Sequence, residues 1–200
     1  MTTPHPDQEK PPGVTGVILV GGKSRRMGRD KAFLEVEGQT LVEITLAALR
    51  QCLPTIILVG DRPERFAGLG LPVYPDIYPG SALGGLYTGL VQAESSHIFV
   101  SSCDLPYPSA PLIRYLAELA TGNDVVVVQG ESGYEPLFAL YSQGCLEPIR
   151  RRILAEKYCV YDFYPQVTTR IVTLAEIAAL GDPRHFFLNL NTPEEYRRII

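Results

Sequence analysis

VILVGGKSRRMGRDK, residues 17–31, joins a short apolar run to two glycines and a cluster of basic side chains. The apolar run, residues 17–20, is continuous rather than alternating, which is typical of a strand buried on both faces of a parallel sheet. Gly21 and Gly22 follow at once, so bare backbone is expected at the carboxyl end of this strand. Open α/β sheets bind ligands at that edge. The segment therefore predicts an α/β fold with a ligand site at the glycine turn.

Similar apolar runs recur along the chain and alternate with helical stretches. Strands are predicted at residues 17–20, 56–59, 98–101 and 125–128, and helices at residues 41–52, 83–92 and 111–120. Further strands are predicted at 137–141, 169–172 and 186–190, a helix at 145–156, and a last helix beginning at Thr192-Pro193. Strands that alternate with helices predict a three-layer, Rossmann-like α/β fold with a mostly parallel central sheet.

The composition excludes several classes of partner. The chain has 200 residues and a net charge of -4, and its basic residues form local clusters rather than the stripe that nucleic-acid binding requires. No apolar run reaches the roughly 18 residues of a membrane span, and the N-terminus lacks the apolar core of a signal peptide. The four cysteines form no C-x-x-C pair, so no zinc site is predicted. We expect a disordered tail at 1–13, one domain at 14–200, a cytoplasmic location, and neither nucleic acid nor membrane as a partner.

The glycine turn has the chemistry of an anion site. Successive backbone N–H groups in such a turn can form a concavity that binds phosphate, and four basic charges follow within residues 25–31. A P-loop is excluded because five residues, not four, separate Gly22 from Gly28, and Arg29 follows instead of lysine. The dinucleotide fingerprint G-x-G-x-x-G is also absent. From these residues alone, a phosphate site and an ordinary glycine turn with a basic surface loop both remain open.

LVGGKSRRMGRDK, residues 19–31, resembles the L-x-G-G-x-S-x-R-M-G-x-D-K signature of molybdenum cofactor guanylyltransferases, the MobA family of nucleotidyltransferases. The resemblance covers nearly everything from Thr15 to Ile200. It implies transfer of GMP from GTP to the phosphate of molybdopterin or molybdenum-molybdopterin, with release of pyrophosphate and with Mg²⁺ as cofactor. Molybdoenzymes or their chaperones are the further partners that it allows.

Four other segments carry the resemblance, and each has a plainer structural alternative. DIYPGSALGG, residues 76–85, resembles a nucleoside-binding loop but is also an ordinary turn before a helix. Asp104 matches the metal-binding aspartate, although a lone aspartate after a strand is often a helix cap. In EPLFALY, residues 135–141, only Glu135 and Pro136 are expected to face a site. NLNTPEE, residues 189–195, matches the family ending, whose asparagines lie near the acceptor or satisfy backbone groups.

The resemblance assigns roles residue by residue. The residues implied are, for catalysis, Arg25, Lys31 and Asp104; for binding, Leu19, Val20, Gly21, Gly22, Lys31, Asp76, Gly80, Asn189 and Asn191; and for the metal, Asp104. No general base is needed, because a terminal phosphate with a second pKa of about 6 is already largely ionised.

The chain departs from the family pattern at three places. Val20 replaces an alanine, Ser81 stands where proline is usual, and the loop after the second strand offers Val59 or Asp61 where some members have an asparagine that contacts the nucleotide. Base recognition by that loop is therefore open. The alternatives are CMP transfer to molybdopterin, a sugar-phosphate nucleotidyltransferase, and a non-catalytic nucleotide-binding module.

Overall fold

A twisted, mostly parallel sheet forms the centre of the computed structural model, which describes residues 13–21, 30–190 and 192–199. Within these residues the strands are β1 Val14–Leu19, β2 Glu35–Val36, β3 Gln39–Thr40, β4 Thr55–Val59, β5 Val73–Tyr74, β6 His97–Ser102, β7 Val125–Gly130, β8 Gly133–Ser142 and β9 Thr169–Thr173. Seven of them form the sheet in the order β5-β4-β1-β6-β8-β7-β9, and β2 pairs with β3 in a separate ribbon. Only β8 runs antiparallel to its sheet neighbours, β6 and β7.

Helices cover both faces of the sheet. In the described residues they are α1 Leu41–Arg50, α2 Ala82–Gln92, α3 Ala110–Glu118, α4 Leu146–Leu154, α5 Leu174–Ile177, α6 Pro183–Phe186 and α7 Pro193–Arg197. Short 3-10 turns lie at Lys31–Phe33, Pro63–Leu69, Gln143–Cys145, Val160–Gln166 and Ala178–Leu180. Ile18 of β1 packs with α1 and α3, whereas Val17 packs with α2 and α4. Alternate side chains of one buried strand therefore enter two separate cores, as a three-layer architecture requires.

Most of the predicted elements are confirmed. The predicted strands at 17–20, 56–59, 98–101 and 125–128 are β1, β4, β6 and β7, and the strands at 137–141 and 169–172 lie within β8 and β9. The three early helices are α1, α2 and α3, with ends that differ by one or two residues, and the predicted helix at 145–156 is α4 with the 3-10 turn before it. Thr192 caps α7 in a capping box with Glu195, as predicted.

The strand predicted at residues 186–190 is wrong. Phe186 ends α6, and the residues from there to Leu190 form no strand. The physical reason lies just upstream, where the Asp182 side chain accepts a hydrogen bond from Arg184 N and Pro183 occupies the first helical position. Asn189 therefore lies in an irregular segment after α6 rather than on a strand.

The predicted tail, residues 1–13, lies outside the described residues except for Gly13, whose carbonyl oxygen accepts a hydrogen bond from His97 N at 3.1 Å. None of the helices in the described part of the chain has the length and apolar character needed to cross a membrane.

Candidate active site

A cleft with a volume of about 1020 Å³ opens at the carboxyl ends of β1, β4 and β6. Ligand sites typically have volumes of roughly 300–1,000 Å³, so the cleft can hold a nucleotide together with a second substrate. The predicted site residues among those lining it are Leu19, Val20, Gly21, Lys31, Asp76, Gly80 and Asp104. Parallel strands bring these residues together because their carboxyl ends meet at one edge of the sheet.

The glycine turn after β1 packs directly against the loop after β4. Val20 N donates a hydrogen bond to Val59 O at 2.9 Å. A Cβ atom at Gly60 would lie only 2.4 Å from Gly21 N, so any side chain at position 60 would displace the turn. Gly60 is a site determinant that the sequence analysis did not identify, because its role depends on a contact between two distant loops.

Asp76 occupies a space that two glycines leave open. Cβ atoms at Gly21 and Gly85 would lie 3.5 Å from its Oδ2 and 3.4 Å from its Oδ1, respectively. The Oδ1 atom is buried and has no hydrogen-bond partner among the described residues. Burial, and after it the charge of Asp61, raises the pKa of Asp76 to about 6. Its carboxylate would therefore be stabilised by a ligand that donates a hydrogen bond from the cleft.

The loop before α2 turns the amino end of that helix toward the cleft. Gly80 has a φ of +100°, a conformation that glycine adopts without strain. Ser81, which departs from the family pattern, caps α2 by accepting a hydrogen bond from Gly84 N at 3.1 Å. Ser81 and Ala82 both line the cleft. The positive end of the helix dipole thus faces the space in which phosphates are expected.

Lys31 and Asp104 form an ion pair at the centre of the cleft. The distance from Lys31 Nζ to Asp104 Oδ2 is 3.7 Å, and the side chains are 19% and 23% exposed. Ser102 Oγ donates a hydrogen bond to Asp104 Oδ1 at 2.5 Å. Ser102 is the last residue of β6, so the strand itself holds the carboxylate at its end. The pair is partly open to the cleft, where both groups can contact a charged ligand.

Asp30 anchors the turn that carries Lys31. Its Oδ1 accepts a hydrogen bond from Ala32 N at 3.3 Å, and its Oδ2 pairs with Arg65 Nη1 at 2.5 Å. The Arg65 guanidinium also lies 4.7 Å from the ring centroid of Phe33, which stacks on Phe66. These contacts hold the backbone of Lys31 from both sides. The sequence marked Asp30 only as part of a motif, because its partner lies 35 residues away.

Cys103 also lines the cleft, next to Asp104. Burial, followed by the negative charges of Asp104 and Asp30, raises the pKa of its thiol to about 12. The thiolate is the nucleophilic form of cysteine, and it is scarcely populated at neutral pH with such a pKa. The surroundings of Cys103 therefore do not activate its thiol as a nucleophile.

The far side of the cleft is formed by β8, whose Leu137 lines it. Glu135 precedes Leu137 by two residues, and burial together with the charge of Asp104 raises the pKa of Glu135 to about 7. The C-terminal segment reaches the same region, since Leu190 N donates a hydrogen bond to Asp104 O at 3.0 Å. Asn189 is not among the described residues that line the cleft, and its side-chain amide donates to Phe187 O at 3.1 Å.

The model of the MobA-like NTP transferase domain family matches residues 16–166 of the chain. The chain belongs to this family. It is accordingly a nucleotidyltransferase.

Named relatives of this MobA-like transferase cover almost all of it. A probable molybdenum cofactor guanylyltransferase of Pelotomaculum thermopropionicum is 38% identical over 182 residues, which span 90% of this chain and 89% of that protein. One of Carboxydothermus hydrogenoformans is 34% identical and spans 94% and 95%. The crystal structure of molybdopterin-guanine dinucleotide biosynthesis protein A from Archaeoglobus fulgidus superimposes with a TM-score of 0.80 at 20% identity, covering 92% of this chain and 96% of that one. This last likeness shows that the two proteins share a fold.

The described part of this MobA-like transferase contains most of the predicted site. Leu19, Val20, Gly21 and Lys31 converge with Asp76, Gly80 and Asp104 on one cleft. Gly22, Arg25 and Asn191 lie outside the described residues, so their roles stay predictions. Asp61 lines the cleft and its charge contributes to the raised pKa of Asp76, so the two carboxyl groups lie near each other.

Proposed function

We propose that this MobA-like transferase transfers GMP from GTP to the terminal phosphate of molybdopterin, or of molybdenum-molybdopterin, and releases pyrophosphate. The names of its relatives support this choice of substrates. The observation that carries the proposal is the Lys31–Asp104 ion pair, which lies in the cleft beside the glycine turn. A cation and a carboxylate that are both open to ligand suit a reaction between two phosphate groups, because charge must be neutralised on either side of the transferred phosphorus.

The nucleotide occupies the part of the cleft between β1, β4 and α2. Leu19, Val20 and Gly21 offer backbone and small surfaces to the nucleoside, and the Asp76 carboxylate accepts a hydrogen bond from it. Gly80 and the amino end of α2 face the phosphates. Among the described residues, Lys31 completes the phosphate site. Gly22 and Arg25 are assigned to the same site from their positions in the sequence motif.

Asp104 fits a role as the ligand of Mg²⁺. The magnesium ion prefers one or two carboxylates together with water and substrate phosphate oxygens, so it needs no larger set of protein ligands. Within the described residues no group of three or more histidine, cysteine or acidic side chains is arranged to hold a metal. Asp104 lies where a triphosphate would supply the remaining ligands. When bound, the ion supplies charge neutralisation at the phosphates of GTP.

The reaction requires no general base from the protein. An oxygen of the acceptor phosphate attacks the α-phosphorus of GTP; the new P–O bond forms as the bond between the α-phosphorus and the bridging oxygen breaks, and pyrophosphate leaves with that electron pair. The acceptor phosphate is largely ionised near neutral pH. Lys31 neutralises the charge that develops on the leaving group, and the backbone amides of the glycine turn orient the triphosphate. Roles for Asn189 and Asn191 near the acceptor rest on the sequence motif alone.

Pyrophosphate release tests the proposal directly. The full chain is incubated with Mg²⁺, molybdopterin and one of GTP, CTP, ATP or UTP, and pyrophosphate and the dinucleotide product are measured. We expect both products with GTP and molybdopterin only. Faster release from CTP would assign the chain to CMP transfer. Tight nucleotide binding without pyrophosphate release from any acceptor, sugar phosphates included, would make it a binding module.

A further inference from the structure

Strand β8 carries a bulge where it borders the cleft. Val127 of β7 pairs with Ala139, whereas Gln129, two residues on, pairs with Tyr134, so residues 135–138 stand opposite a single residue of β7. On its other side, the ladder between β8 and β6 ends at the pair Ser101–Phe138. Pro136 lies inside the bulge and has no N–H group to donate to either neighbour. The bulge therefore releases Glu135 and Leu137 from the regular pattern of the sheet.

Two buried tyrosines hold the bulge in place. The Tyr141 hydroxyl donates to Pro136 O at 2.7 Å and lies 2.8 Å from the Tyr164 hydroxyl. Because the Tyr141 proton points to Pro136, Tyr164 is the donor in the second contact. Burial raises the pKa of Tyr141 far above its ordinary value, so its proton is retained. A bulge with two hydrogen-bonded side chains beneath it is a rigid support for the residue that it presents.

Glu135 is the charged residue on this support. A Cβ atom at Gly130 would lie 3.1 Å from Glu135 Oε1, so the glycine leaves room for the carboxylate. Counting outward from the last β6–β8 pair, Asp104 lies three residues after Ser101 and Glu135 three residues before Phe138. The charge of Asp104 contributes to the raised pKa of Glu135, which agrees with this proximity.

In the proposed arrangement the acceptor approaches from the β8 side of Asp104. In an in-line displacement the attacking oxygen enters opposite the leaving pyrophosphate. The strand order places β1 and β4, which carry the nucleotide, on one side of β6 and places β8 on the other. Aromatic surface adjoins the bulge, since the ring of Tyr134, the residue before Glu135, lies 5.8 Å from that of the exposed Tyr161 and 5.5 Å from that of Tyr164.

We propose that Glu135 binds the acceptor, accepting hydrogen bonds from N–H groups of its flat heterocycle beside the aromatic wall of Tyr134 and Tyr161. The inference rests on the proposed function, which supplies an acceptor with such a ring. A pterin carries ring N–H and amino donors on one edge, and a carboxylate can accept two of them at once. The tyrosine rings provide apolar surface for the face of the same molecule.

The test compares Glu135→Gln with the matched control Glu131→Gln, an exposed glutamate in the turn between β7 and β8. With molybdopterin as acceptor, we expect Glu135→Gln to raise the KM for molybdopterin on the order of tenfold, as for loss of one charge-assisted hydrogen bond. The KM for GTP and the affinity for Mn²⁺ in the presence of GTP, measured by electron paramagnetic resonance, should stay at wild-type values. Glu131→Gln should change none of these quantities.

An unchanged KM for molybdopterin in Glu135→Gln would overturn the inference. So would a weakened Mn²⁺ affinity with an unchanged acceptor KM, because it would assign Glu135 to the metal. Glu135→Asp, which keeps the charge but shortens the side chain, should give an intermediate KM and serves if Glu135→Gln does not fold. If the wild-type protein transfers no GMP to molybdopterin, the proposed function fails; the inference fails by itself when wild-type transfer is intact and Glu135→Gln equals Glu131→Gln.

Discussion

The two halves of the cleft are built in different ways. The nucleotide half lies among parallel strands, and its chemistry is supplied by glycines, backbone amides and the amino end of α2. The proposed acceptor half lies at the antiparallel strand β8, whose bulge is held by a buried tyrosine pair and carries Glu135. Lys31 and Asp104 lie between the halves. Under the proposed function, a triphosphate would be bound mainly by backbone groups, whereas the acceptor would be bound by side chains that long-range packing holds in place.

Because the two halves are built differently, substitutions in each half should impair a different measurable property. Changes in the nucleotide half should act on GTP binding, and changes in the acceptor half should act on the KM for molybdopterin. Changes at the centre should act on the rate of transfer itself. A variant in one half that changes only the quantity assigned to the other half would show that the division is wrong.

The largest effect is expected at the centre, from Asp104→Ala. Transfer should be abolished, because the variant lacks the carboxylate proposed to hold the metal at the phosphates. Thermal unfolding should remain cooperative and close to that of the wild type, since Asp104 is at the surface of the cleft. Glu118→Ala removes an exposed carboxylate from α3 and should retain full activity. Retention of most Mg²⁺-dependent guanylyl transfer by Asp104→Ala would refute its assignment.

Lys31→Ala should lower the rate of transfer on the order of 10²-fold, comparable with the loss of one electrostatic donor to a transition state. The matched control is Lys157→Ala, which removes an exposed lysine after α4. Steady-state kinetics with saturating GTP and molybdopterin measure the effect. If Lys31→Ala turns over at the wild-type rate, Lys31 does not act on the substrates and only forms the ion pair with Asp104.

GTP binding should depend on pH through Asp76, with a change of at most about tenfold per pH unit. The pKa of this carboxyl group is about 6 without ligand, and a donor from the nucleoside would lower it in the complex. Binding therefore favours the ionised form, so affinity should rise as the pH increases to about 6 and then level off. Titrations of GTP binding from pH 5 to 8 should show this rise in the wild type and no such rise in Asp76→Asn. Comparing the two proteins removes the contribution from the ionisation of GTP itself, which is the same for both. Parallel curves would exclude Asp76 from the nucleotide site.

The smallest effect is expected from Tyr141→Phe, which tests the support of the acceptor half. The change removes the hydroxyl between Pro136 O and Tyr164, and leaving buried polar groups unpaired costs about 1–3 kcal/mol of unfolding free energy. We expect a lower Tm and a severalfold higher KM for molybdopterin, with the KM for GTP unchanged. Tyr158→Phe, at an exposed tyrosine, is the control. An equal rise in both KM values would mean that the halves are mechanically coupled.

The sequence predicted well which residues near β1 meet at the cleft, because their determinants are contiguous. The apolar strand, the glycines and Lys31 follow one another within 15 residues, and parallel strands bring Asp104 to the same edge by a general rule. The sequence did not indicate the importance of Gly60 or the ion pair between Arg65 and Asp30, since both depend on contacts between distant segments. Ser81 was recorded as a departure, but the structure shows an N-cap, which its position before an apolar helix could have indicated.

The acceptor half was predicted less well for the same physical reason. Residues 137–141 were correctly predicted as a strand, but a bulge is defined by pairing with β7, which periodicity does not reveal. The strand predicted at 186–190 was wrong because the helix start at Asp182-Pro183 outweighs the apolar character of the residues that follow. Apolar runs indicate burial, and whether they form a strand is decided by caps and partners.

The hydrogen bond from Leu190 N to Asp104 O has a consequence for the order of assembly. Chains are synthesised from the amino end, and folding begins before synthesis is complete. β1, β4, α2 and β6 all precede residue 103, but both cores that they enter also contain later residues, among them Val126 and Tyr141. The Asp104 loop acquires its backbone tie to the C-terminal segment only after residue 190 has emerged. A chain that stops short of this point is therefore expected to lack a finished centre for transfer.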